Sequence, residues 1–64
     1  VSRETIEDAT AHVRVAVDEL QRQIERETDR DVTFCVLRAL RGLSTARVDL
    51  ALARLGCVLE EATT

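Results

Sequence analysis

Three side chains in this sequence have the chemistry for catalysis or metal binding: His12, Cys35 and Cys57. A Cys–His pair can generate a nucleophilic thiolate, and paired thiols can form a disulfide or hold a metal. Their spacing supports none of these uses. Twenty-one residues separate the cysteines, and no Cys-x-x-Cys or neighbouring histidine completes a zinc set. The thiols are expected to be free and partly buried. The acidic residues are spread along the chain among arginines, without the convergent pair that acid–base catalysis needs. Asp29 and Asp31 read better as helix caps than as a catalytic dyad. No catalytic, cofactor-binding or metal-ligating residue is assigned, and the expected function is non-enzymatic.

The elements that carry these residues are helical. Proline is absent, and Gly42 and Gly56 are the only glycines. No stretch alternates apolar and polar residues over the length of a strand. From Ile6, steps of four and three pick out Thr10, Val13, Val17, Leu20 and Ile24, widened by Ala9 and Ala16. That is a heptad seam on one face of a helix over about residues 3–28. Ser2 is placed to cap it, and Glu4 complements the dipole in the first turn. Thr28 to Asp31 then breaks the pattern, and so short a connection forces an antiparallel return.

In the return arm, Val32, Val36, Ala39, Leu40 and Leu43 share one face. Val48, Ala51, Leu52, Leu55, Leu59 and Ala62 share another, about a quarter turn away. Gly42 precedes this jump, and Ser44 or Thr45 offers a new cap. The pattern therefore predicts two helices, about 32–42 and 45–62. Glu60 and Glu61 oppose the dipole at the far end, so the last turn is expected to fray unless the chain continues or a partner holds it.

The fold class is thus all-α, a single domain over 1–64 with one long helix and a return arm of two. A chain of 64 residues buries only about 60% of its unfolded surface, which makes a lone monomer marginal. Pairing two hairpins into a four-helix-bundle-like homodimer relieves this. The expected self-association interface is Ile6, Val13, Val17, Leu20 and Ile24 from helix 1. The return arm adds Val36, Leu40, Leu43, Val48, Leu52, Leu55 and Leu59. Val15, opposite the helix 1 seam, is free for a second contact. Hydrophobic residues make up 45% and charged residues 33%, a globular balance. No apolar run approaches the roughly 20 residues of a membrane span, and no signal-peptide pattern is present. A cytoplasmic location without membrane contact is expected.

Residues Leu37 to Leu55 carry two resemblances to nucleic-acid-binding motifs. Gly42, Leu43, Ser44, Val48, Ala51 and Leu55 resemble the turn and second helix of a helix-turn-helix. That family usually has a small residue where Arg38 stands and an apolar one where Arg41 stands. Leu37, Leu40, Gly42, Leu43, Val48 and Ala51 resemble a helix-hairpin-helix. There Arg41 replaces the proline, and Ser44 the second glycine. Either resemblance implies DNA contact through Arg38, Arg41, Ser44, Arg47 and Arg54. Charge is distributed in keeping with it. Residues 1–31 hold five Arg against nine acids, a net of −4, whereas residues 32–59 hold four Arg against Asp49, a net of +3. The whole chain is nevertheless at −3, and four arginines give little affinity for phosphates.

Two readings follow. The first is a helical module that packs with itself and with a protein partner, in which Arg47 and Arg54 pair with Asp18, Glu25 or Glu27 across an interface. The other is a dimeric DNA-binding transcriptional regulator. Under the first, Val17→Asp places an unpaired charge in the seam. It is expected to abolish helicity and association together, and a folded monomeric variant by circular dichroism and sedimentation would contradict it.

Overall fold

The computed structural model describes residues 1–63 and contains two helices in contact, α1 (Arg3–Arg26) and α2 (Arg30–Thr63). Both start where the side chains dictate. Ser2 is extended, and its hydroxyl accepts from the Thr5 N–H at 3.2 Å. Asp29 is the cap of α2, its Oδ1 accepting from the N–H groups of Asp31 at 2.9 Å and Val32 at 3.1 Å. Between them Glu27 Oε1 accepts from the N–H groups of Thr28 and Asp29, so the tight connection satisfies its own donors. Glu27 to Asp29 is too short for anything but a hairpin. Helix α1 therefore ends two residues earlier than its pattern predicts, and α2 begins two residues earlier.

The hairpin is a rod measuring 53 × 15 × 14 Å, with a radius of gyration of 15.2 Å. A compact domain of this length would have a radius near 11 Å. Its single seam runs along α1 through Ile6, Thr10, Val13, Val17, Leu20 and Ile24, as the heptad spacing predicts. Ile6 and Val17 are buried at 6% exposure and the others are half-buried, save that Ala9 and Ala16 widen the stripe. Thr10 sits in this apolar row because its hydroxyl donates to the Ile6 carbonyl at 2.8 Å. Opposite lie Thr33, Val36, Leu40, Leu43, Ala46, Leu50 and Cys57 of α2, all half-buried.

The return arm corrects the expected break at 42–45. It is one continuous helix, and no glycine among the described residues has positive φ. Without the left-handed turn that ends a helix at glycine, Gly42 costs only about 1 kcal/mol and the ladder continues. Thr45 does not cap a new helix; its hydroxyl donates back to the Arg41 carbonyl at 3.2 Å. The quarter-turn jump has a different origin. Val36, Leu43, Leu50 and Cys57 repeat every seven residues and carry one face along the whole helix toward α1. Val48, Leu52, Leu55 and Leu59 belong to a second stripe on the same helix, facing away from α1.

The end of α2 lies one residue past the expected bound. The helix continues to Thr63, and Arg3 Nη1 donates to Glu61 Oε2 at 2.9 Å. An ion pair to α1 takes the place of the missing positive charge at the helix end.

An unbroken α2 makes Gly42 a plain helix-interior glycine, and a Cβ added there meets nothing within 4 Å. Gly42→Ala should therefore stabilise the protein by about 0.5–1 kcal/mol in thermal melts. A glycine serving a turn would give destabilisation instead.

Candidate interaction surface

The outer face of α2 follows directly from the helical repeat. At about 100° per residue, Phe34, Leu37, Val48, Leu52, Leu55 and Leu59 fall within one stripe, which borders the seam to α1 at Leu37 and lies opposite it from Val48 to Leu59. All six side chains are more than half exposed. Their spacing is again threes and fours, with Arg41 and Ser44 occupying the two steps between Leu37 and Val48. The C-terminal part, Val48 to Leu59, is the denser, and its four large residues are 54–62% exposed. Helix α1 has no counterpart: within it Val15 is the only exposed large hydrophobic residue. The two helices thus differ in kind. Helix α1 is amphipathic with one apolar face, and α2 is apolar on two.

The residues expected to form the interface divide accordingly. Ile6, Val13, Val17, Leu20 and Ile24 meet Val36, Leu40 and Leu43 inside the hairpin. Val48, Leu52, Leu55 and Leu59 take no part in that seam. Leu50 and Cys57, which the phase analysis left out, fill it instead. Phe34 and Leu37 extend the outer stripe toward the hairpin turn, and their three- and four-residue spacing to Val48 was the available signal.

The five residues implied in DNA contact do not share a face. Arg38 and Arg41 lie toward the outer side of α2, with the Arg38 guanidinium 5.9 Å from the centre of the Phe34 ring. Arg47 and Arg54, seven residues apart, lie roughly opposite, toward α1. Arg54 Nε donates to Glu7 Oε1 at 3.1 Å, and Glu7 also lies 3.8 Å from Arg3 Nε. Arg54, Glu7, Arg3 and Glu61 therefore form one chain of charges that ties α1 to α2 at the open end of the hairpin. Within the hairpin, then, the acidic partner of Arg54 is Glu7. Ser44 lies mid-helix, and the turn that either nucleic-acid motif requires is not formed.

The residues with reactive side chains stay apart. Cys35 and Cys57 are free, Cys57 half-buried as expected but Cys35 exposed, and they stand on one helix, 22 positions or about 33 Å apart. A disulfide needs Cα atoms within about 7 Å, so no intrachain bridge joins them. The Cys57 thiol lies 3.9 Å from the Val1 carbonyl oxygen, whereas His12 Nδ1 donates to the Asp8 carbonyl on the flank of α1. Among the described residues no three His, Cys, Asp or Glu side chains are grouped to hold a metal ion, and no helix is long and apolar enough to cross a membrane. No known protein family, curated protein or solved structure matches the chain.

Proposed function

We propose that this chain is a non-enzymatic helical interaction module, acting by packing α2 against further helices, its own copies and a protein partner among them. The observation that carries this reading is the unpartnered apolar stripe on α2. The accessible surface is 5316 Å². A compact monomer of 7.1 kDa would expose about 4,100 Å², so the hairpin shows about 1,200 Å² in excess. A standard protein–protein interface takes about 800 Å² from each partner, which the excess can supply. A contiguous exposed apolar patch of this kind marks an interaction site on a soluble domain. The homodimer expected from the sequence, a four-helix assembly of two hairpins, is the simplest way to cover it.

The test replaces two residues that are already exposed, Leu52→Asp together with Leu55→Asp. A substitution at an exposed position usually shifts stability by about 0.5 kcal/mol or less. The proposal expects the double variant to sediment as a monomer and to melt at a distinctly lower temperature than the parent. Unchanged sedimentation and an unchanged melt would overturn it.

A further inference from the structure

The occupant of the C-terminal part of the outer stripe is, we infer, the α2 helix of a second copy, lying antiparallel with Val48 opposite the partner's Leu59 and Leu52 opposite the partner's Leu55. This rests on the self-association reading above and adds the partner surface, direction and register. The steps from Val48 through Leu52 and Leu55 to Leu59 are four, three and four. That spacing reads the same in both directions. A two-fold axis perpendicular to α2, at the midpoint between Ala53 and Arg54, therefore maps the block onto itself. Self-complementarity of this kind is what an isologous interface requires.

Direction follows from Arg41. In a parallel pair each stripe residue faces its own copy, and Arg41 would meet the partner's Arg41 inside the seam. Like charges so placed repel, and the helix dipoles would be parallel as well. In the antiparallel register Arg41 lies outside the leucine–valine block, and the block itself contains no charged residue. Val48, Leu52, Leu55 and Leu59 carry no charge and offer an acidic or basic partner nothing to read. The copies have α2 innermost and α1 outermost, because the C-terminal part of the stripe points almost directly away from α1. This placement leaves the polar outer face of α1 in water, which its single exposed valine suits.

Disulfide trapping tests the register. Cys35→Ser with Cys57→Ser supplies a cysteine-free parent, and Val48→Cys and Leu59→Cys are made separately in it. In the antiparallel register two copies of residue 48 are eleven positions apart along the axis, about 16 Å, beyond disulfide reach. Residues 48 and 59 of different copies are adjacent. On mild oxidation, an equimolar mixture of the two variants should give a covalent dimer joined 48 to 59, whereas neither variant alone should give one. Efficient cross-linking of Val48→Cys alone would overturn the register in favour of parallel or differently centred pairing. A cysteine-free parent that sediments as a dimer while the mixture gives no cross-link would place the interface elsewhere. A monomeric parent would instead remove the self-association reading itself.

Discussion

Two helices lying side by side can bury one stripe each, and that limit governs this chain. Helix α1 complies, with its apolar residues in one heptad row and its charges around the rest of the cylinder. Helix α2 does not, since it carries a row toward α1 and another away from it. The row between the helices is thin. Ile6 and Val17 are the only buried hydrophobic residues among those described, and α2 contributes none. A core of this size offsets little of the conformational entropy lost on ordering so long a chain. The outer row of α2 is the remaining apolar surface from which further stability can come. Structure and the proposed function are therefore linked: the surface proposed to meet a partner is also the surface that the hairpin leaves unburied.

Polar interactions set the limits of the hairpin without replacing that core. Ser2 and Asp29 start the helices, and the Glu27 carboxylate closes the turn between them. At the other end the chain of charges from Arg54 through Glu7 and Arg3 to Glu61 aligns α1 against α2. These pairs are solvent-exposed, and each contributes about 0–1 kcal/mol. Their main effect is on register: Arg54 and Arg3 fix which turn of α2 faces which turn of α1. The outer residues Val48, Leu52, Leu55 and Leu59, each two residues from the inward Leu50 or Cys57, are then held in a defined orientation along the rod.

Much of this was legible in the residues. The all-helical class, the Ser2 cap, the choice of Asp29 or Asp31 at the second cap and the α1 seam all follow from spacing and side-chain chemistry. The return arm was harder for a physical reason. A phase jump between Leu43 and Val48 arises equally from a broken helix with one apolar face and from a straight helix with two. Gly42, Ser44 and Thr45 favoured the break by type. What decides against it is backbone conformation at Gly42 and the inward positions of Leu50 and Cys57, and a phase analysis that expects one face per helix misses both. The same error hid the outer stripe as a separate surface, merging Val48, Leu52, Leu55 and Leu59 with residues that lie on the other side. The nucleic-acid resemblances depended on the same turn, and the continuous helix separates their arginines.

The claim that this hairpin relies on its outer stripe for stability is tested most directly by dilution. Helicity by circular dichroism and molecular mass by sedimentation would be followed together as protein concentration is lowered. The account expects the two to fall over the same concentration range, because dissociation uncovers the stripe and removes the stability it supplies. A monomer that keeps its full helicity at the lowest concentration would contradict it, for the thin seam between α1 and α2 would then suffice alone.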